Sequence, residues 1–74
     1  MEKVEFAPEF PKGDDASTLW DAREVVRSAL EASGYELTGA GMGVGPESTK
    51  GMADIGVRTK SGQRVEVRLY LLAS

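Results

Sequence analysis

The first residues of the chain alternate apolar and charged side chains. Val4 and Phe6 are apolar, while Lys3 and Glu5 are charged. A period of two is typical of a β-strand with one buried face. Prolines follow at positions 8 and 11, and proline cannot donate a hydrogen bond within a sheet. The pattern therefore predicts a short strand that lies at an edge or ends early.

The next segment has the period of an amphipathic helix. Aspartate, serine and threonine at positions 14–18 offer side-chain oxygens to unpaired amides, and the acids suit the positive end of a helix dipole. Gly34 follows the last periodic residue, where a left-handed terminator is expected. We predict a helix over 17–33, with Arg23 outside its buried stripe. That stripe comprises Leu19, Ala22, Val25, Val26, Ala29, Leu30 and Ser33.

Three further strands are predicted, over about 35–44, 53–59 and 63–72. Opposed residues must share a face of the sheet, and this requirement selects the register of the last two strands. A three-residue loop over 60–62, with a left-handed Gly62, pairs Val57 with Val65 and keeps both buried. The predicted fold is a single α+β domain over residues 1–74. It has two layers in the order β-α-β-β-β, with one helix packed on a mainly antiparallel sheet.

A glycine occupies every second position in GAGMGVG, residues 39–45. The spacing departs from both the dinucleotide fingerprint and the phosphate loop, and no helix follows to bind a phosphate. The run reads better as a strand with Ala40 and Met42 inward and the glycines on the outer face. Leu37 has the opposite parity, which predicts a bulge near Gly39. The inverse phase, with inward glycines that admit a close helix, remains an alternative.

The hairpin register also arranges charges on the outer face. It places Arg58 opposite Arg64 and Asp54 opposite Arg68. Like charges directly opposed are unfavourable, so a bound anion, a partner carboxylate or a diagonal Glu66 is expected to offset them. Solvated arginines that simply splay apart are the alternative. A possible anion recess would comprise Gly41, Gly43, Arg58 and Arg64.

The outer face ends in apolar residues. Tyr70 and Leu72 point outward there, as in strand-edge dimers and partner interfaces. Trp20 lies on the polar side of the helix, where it either covers the preceding loop, stacks on Arg23 or anchors a partner. The predicted partner-binding residues are Arg58, Arg64, Arg68, Tyr70, Leu72 and Trp20.

The chain contains neither cysteine nor histidine. Thiolate and imidazole chemistry and Cys/His zinc sites are therefore excluded. Asp14 and Asp15 fit a helix start better than a metal or acid–base pair. We expect no enzymatic activity, no cofactor and no metal. The sequence shows no signal peptide and no apolar run of membrane-spanning length, so we expect a cytoplasmic protein.

Charge is distributed unevenly along the chain. Residues 1–36 carry nine acids and four bases (−5), and residues 37–74 carry three acids and five bases (+2), for a net charge of −3. The balance makes nucleic acid an unlikely ligand. Three hypotheses follow. The first is a module that binds a protein partner or its own copy through the outer face and the C-terminal strand. The second is an acidic nucleic-acid mimic that uses the N-terminal half and the helix, and the third is a domain that binds a small anion or phosphate ligand through the glycine strand with Arg58 and Arg64. In size and acidity the chain resembles small phage or mobile-element inhibitors, including anti-CRISPR proteins, although no motif carries the resemblance.

Overall fold

A computed structural model describes residues 10–73, in which one helix packs on a three-stranded antiparallel sheet. The predicted α+β fold is confirmed. The strand predicted at Val4 and Phe6 lies outside the described residues. The elements are α1 Gly13–Ala32, β1 Glu36–Gly43, β2 Thr49–Arg58 and β3 Arg64–Leu72, and the strand order is β1-β2-β3.

Helix α1 begins four residues before the predicted start at position 17, so that boundary was wrong. Lys12 is the extended residue before the helix, and its carbonyl accepts N–H bonds from Asp15 at 3.1 Å and Ala16 at 3.5 Å. No side chain caps this end. Asp14 and Asp15 lie within the first turn, where the helix dipole favours negative charge. The acids therefore belong to the helix itself rather than to a loop before it.

The other end of α1 closes as predicted at Gly34. This residue has φ +95°, a conformation that suits glycine. Its N–H donates to Glu31 at 3.0 Å, and the N–H of Tyr35 donates to Leu30 at 3.1 Å. These two bonds form a Schellman motif, which turns the chain directly into β1.

The buried stripe of α1 differs from the predicted one. Leu19 and Arg23 are buried, whereas Val25 is 71% exposed. Val26 and Leu30 are half-buried, and the alanines at 22 and 29 are exposed. The helix turns its longer side chains toward the sheet because they cover more apolar surface than alanine does. The aliphatic stem of Arg23 contributes to that contact, so the prediction that placed Arg23 outside the stripe was wrong.

The β2–β3 hairpin has the predicted register. Val57 pairs with Val65, Ile55 with Val67 and Ala53 with Leu69. Gly62 has φ +89°, and its N–H donates to the Thr59 carbonyl at 2.9 Å. The three-residue loop with a left-handed glycine is therefore confirmed.

Strand β1 contains the predicted irregularity. The register with β2 shifts between Leu37 and Gly39, so that Leu37, Ala40 and Met42 all lie on the helix side of the sheet. The glycines lie on the other side, and the inverse phase was wrong. Strand β2 begins at Thr49, earlier than predicted, because a tight turn precedes it: the Thr49 N–H donates to the Pro46 carbonyl at 2.9 Å.

The core lies between α1 and the middle strand. The fully buried apolar side chains are Leu19, Ala53, Ile55 and Val57. On β2, burial alternates with a period of two, so every second residue faces away from the helix. Since one helix covers one face only, the opposite face of the sheet is left open over residues 10–73.

Candidate functional site

The open face is the side of the sheet opposite α1. Its residues are set by the register, because Gly41 pairs with Asp54 and Asp54 pairs with Arg68. Residues two apart on each strand share this face. It comprises Glu36, Gly39, Gly41, Gly43, Met52, Asp54, Gly56, Arg58, Arg64, Glu66, Arg68, Tyr70 and Leu72.

Arg58 and Arg64 lie directly opposite each other on this face, as predicted. Arg58 Nη1 is 3.4 Å from Oε1 of Glu36, an exposed and weak ion pair. Arg64 makes no hydrogen bond or ion pair within residues 10–73. Glu66 does not neutralise either arginine, because its carboxylate contacts Arg68 instead. The like-charge pair is therefore only partly compensated.

Arg68 is held among polar neighbours on the same strand. Its Nη2 lies 3.2 Å from Glu66 Oε1. A hydrogen bond with Tyr70, followed by the charge of Glu66, raises the pKa of Arg68 above its usual range. Asp54 lies opposite Arg68 but makes no hydrogen bond or ion pair with any described residue. This side chain is thus a second charged group with unused hydrogen-bonding capacity.

The end of the open face near the finish of β3 is apolar. Met52 pairs with Tyr70, which is 42% exposed, and Leu72 is 68% exposed. The turn before β2 approaches this cluster, since a Cβ built on Gly45 would lie 3.2 Å from Cδ1 of Tyr70. The three side chains form an exposed apolar patch beside the charged part of the face.

A shallow depression of about 260 Å³ lies near the arginine pair. The depression forms at Gly56 because this residue has no side chain to fill it. A Cβ at this position would lie 2.8 Å from Thr38 Oγ1. Arg64 and Glu66 line its β3 side. The depression is thus bordered by Arg64, whose guanidinium has no ion pair among residues 10–73.

The glycines of β1 lie apart from the arginine pair. Gly41 faces Asp54, whose Oδ1 would lie 2.9 Å from a Cβ at that position, and Gly43 lies beside Met52. Arg58 is four residues further along β2 than Asp54, about 13 Å away. The predicted anion recess thus combines residues that the structure does not bring together, and a carboxylate lies beside its glycine half.

Trp20 belongs to a different surface. Its ring lies over Arg23, with the guanidinium carbon 4.4 Å from the ring centroid. This is the predicted stacking on the next turn, and the ring remains 52% exposed. Trp20 is therefore carried by the helix and does not join the open face.

Arg23 is the polar residue that sequence reasoning missed. It is only 5% exposed, and its Nη1 donates to the Gly41 carbonyl at 2.6 Å. Its Nε is buried and has no hydrogen-bond partner. A sequence signal existed, because Arg23 falls between Leu19 and Val26 at helical spacing. Charge alone had placed it on the solvent side.

Within the described part of the chain, no group of three or more acidic residues is arranged to hold a metal ion. Between residues 10 and 73 no helix has the length and apolarity required to span a membrane. Comparisons with protein-family models, curated proteins and solved structures found no match.

Proposed function

We propose that this chain is a non-enzymatic module that docks a partner protein through the open face and the end of β3. The observation that carries the proposal is the exposed position of Arg64. This guanidinium lies opposite Arg58, lacks an ion pair among residues 10–73 and borders a depression in the sheet. A carboxylate from another protein would relieve the repulsion and gain a charge-assisted hydrogen bond.

The face favours a partner of defined chemistry. Its three arginines balance its three acids, Glu36, Asp54 and Glu66, so the face is neutral in sum on a chain whose net charge is −3, and Arg64 is the arginine without an ion pair among residues 10–73. The adjoining patch of Met52, Tyr70 and Leu72 supplies the apolar contact. Aromatic and arginine side chains are the residues that most often dominate binding energy at interfaces. The partner surface is thus acidic at one end and apolar at the other.

A finer proposal is that the partner belongs to a host system that a phage or mobile element inhibits, as anti-CRISPR proteins do. What supports it is the small size and acidic balance of the chain. The cytoplasm is the compartment where such a partner would be met.

The acidic-mimic alternative is less favoured by the helix surface. Arg27 lies 2.8 Å from Glu24 and also contacts Glu31. Of the three acids on this surface, Asp21, Glu24 and Glu31, the last two are therefore engaged by a base on the same helix. A nucleic-acid mimic needs carboxylates that are free to meet a basic groove.

The test is comparative affinity capture from cells of the source organism, with the bound protein quantified by mass spectrometry. Arg58→Glu combined with Arg64→Glu is expected to remove the partner. Lys50→Glu with Lys60→Glu makes the same change in net charge while keeping both arginines, and this variant should retain the partner. Neutralising Asp21, Glu24 and Glu31 should also retain it. Loss with the neutralised acids but not with the arginine variant would instead support the mimic.

The anion-binding alternative has a separate test. Inorganic phosphate and nucleotides at millimolar concentration are expected to leave the thermal midpoint unchanged, because a ligand stabilises a protein only as far as it occupies the native state. A midpoint that rises with phosphate and is insensitive to Arg64→Gln would point to another anion site.

A further inference from the structure

The outer edge of β3 is unpaired in the part of the chain that the structure describes. Within residues 10–73, β3 pairs with β2 alone, so its other side carries unpaired backbone groups over nine residues, 64–72. The strand contains no proline, and no register shift interrupts its pairing over 64–71. Such an edge is a template for pairing with another strand.

The hydrogen-bond pattern shows which residues offer their backbone groups. The Thr59 N–H donates to the Gln63 carbonyl at 2.8 Å, so that pair is hydrogen-bonded. In an antiparallel ladder the bonded residues recur every second position. Val65, Val67 and Leu69 therefore direct their backbone groups toward β2. The outward groups belong to the even-numbered residues Arg64, Glu66, Arg68 and Tyr70.

We infer that β3 pairs with β3 of a second copy of this chain, antiparallel, about a two-fold axis through Val67. This register places Glu66 opposite Arg68 of the second copy, and Arg68 opposite Glu66. It also places Arg64 opposite Tyr70 in both directions. Opposite charges in facing positions stabilise a strand pair, and an arginine beside a tyrosine ring adds a cation–π contact.

The alternation of charge disfavours the neighbouring registers. The helix sides of the two strands lie on the same face of the joined sheet only when the two-fold axis passes through a residue and not between two residues. An axis through Arg68 opposes Arg68 to itself, and an axis through Glu66 opposes Glu66 to itself. An axis through Val65 pairs Arg64 with Glu66 but matches only strand residues 64–66. The Val67 axis pairs seven residues of each strand. An axis through Leu69 also pairs seven, but it opposes Glu66 to Leu72 and brings no opposite charges together.

The apolar side of β3 agrees with this register. Val65 is exposed although it lies on the helix side of the sheet, because α1 does not cover it. The Val67 axis brings Val65 beside Leu69 of the second copy and Val67 beside its own counterpart. Pairing therefore buries apolar surface that a single copy leaves partly exposed. Pairing of the two copies joins their described strands into one six-stranded sheet with a continuous open face.

This dimer does not depend on the proposed partner. Its backbone hydrogen bonds use the edge of β3, and it is measured on the purified chain alone, although Arg64, Arg68 and Tyr70 contribute side chains to both surfaces. A monomeric chain could still bind a partner, and a dimeric chain could fail to bind one. The two proposals therefore fail separately.

Sedimentation velocity over a wide concentration range tests the dimer. Glu66→Arg and Arg68→Glu, made singly, each place like charges across the axis and should weaken association about tenfold or more. The double variant Glu66→Arg/Arg68→Glu restores opposite charges and should restore the dimer. Glu47→Arg changes the net charge by the same amount as Glu66→Arg, but it lies on the turn before β2 and should leave association unchanged. A wild-type chain that stays monomeric, or a double variant that fails to recover, would overturn the inference.

A cysteine cross-link gives an independent reading of the axis. The natural chain contains no cysteine, so a single introduced thiol can join only to its counterpart in a second copy. Val67→Cys places the two thiols in a non-hydrogen-bonded pair across the axis, within the Cα separation that a disulfide requires. Mild oxidation should link this variant efficiently and should link Val65→Cys poorly. Preferential linking of Val65→Cys would show that the axis lies elsewhere.

Discussion

The ring of Trp20 lies over the guanidinium of Arg23, 4.4 Å from its central carbon, and thereby covers a buried cation. Arg23 donates one hydrogen bond to Gly41, but its buried Nε has none. Its stabilising contribution must therefore come largely from the packing of its stem and from the ring above it.

Arg23→Met should consequently change the free energy of unfolding by less than about 1 kcal/mol, because an apolar side chain of similar length keeps the packing and removes the unsatisfied Nε. Arg23→Ala should lower the free energy of unfolding by about 2 kcal/mol, since it leaves a cavity under Trp20. Urea unfolding measures both. Equal losses in the two variants would show that the charge itself stabilises the fold.

Two glycines of the sheet should respond in opposite ways to alanine. Gly51 has φ +148°, and a Cβ there would lie 2.9 Å from Pro11 and 3.0 Å from Leu19. Gly51→Ala should therefore cost about 2 kcal/mol through crowding and backbone strain. Gly39 has open space around its Cβ position, and Gly39→Ala should add about 0.5 kcal/mol by restricting the unfolded chain. Thermal unfolding compares them. A stable Gly51→Ala variant would contradict the packing of Pro11 and Leu19 at this position.

Arg64→Gln should increase stability slightly, by up to about 0.5 kcal/mol at low salt, because it removes the like charge opposite Arg58. The gain should shrink as salt screens the pair. Lys60→Gln removes one positive charge from the adjoining loop and serves as the control. If both substitutions raise stability equally, the gain reflects net charge and the opposed pair is not responsible.

Acid should weaken the helix through Glu24. The hydrogen bond from Arg27 holds the pKa of Glu24 below its ordinary value of 4.5. Ionised Glu24 therefore stabilises the native state at neutral pH, and this contribution is lost as pH falls below 4.5 through the folded-state pKa. Glu24→Gln should be less stable than the wild type at pH 7 and equal to it in strong acid.

Glu47→Gln is the control for this titration, because Glu47 makes no ion pair with residues 10–73. Unfolding curves recorded from pH 7 to pH 2 should show that the difference in stability between Glu47→Gln and the wild type does not change with pH. A constant difference between Glu24→Gln and the wild type across the range would exclude the Arg27 hydrogen bond as the cause.

The sequence predicted those features that depend on parity and turn chemistry. The pairing of Val57 with Val65 follows from keeping apolar residues on one face. The left-handed Gly62 sets the length of the loop that joins the two strands. The bulge near Gly39 follows from a change of parity within one strand. The facing of Arg58 and Arg64 is a consequence of the same register, so this part of the candidate site was predictable.

Features that depend on tertiary packing were not predictable in the same way. The helix stripe was assigned from polarity, but the contact with the sheet favours the long stem of Arg23 over a small alanine. The bond from Arg23 to Gly41 joins residues 18 positions apart, and no local pattern encodes it. The depression beside Arg64 likewise needs Thr38 and Gly56 to meet across two strands.

Site-specific photocross-linking in cells of the source organism tests whether a partner docks on the open face. A benzophenone amino acid replaces Tyr70 on the open face or, as the control, Val25, which is exposed on the opposite side of the molecule. Adducts to a second copy are recognised by mass and set aside. We predict a discrete adduct with another protein from position 70 and none from position 25, with the position 70 adduct lost on Arg58→Glu/Arg64→Glu. Adducts from position 25 alone would contradict docking through the open face.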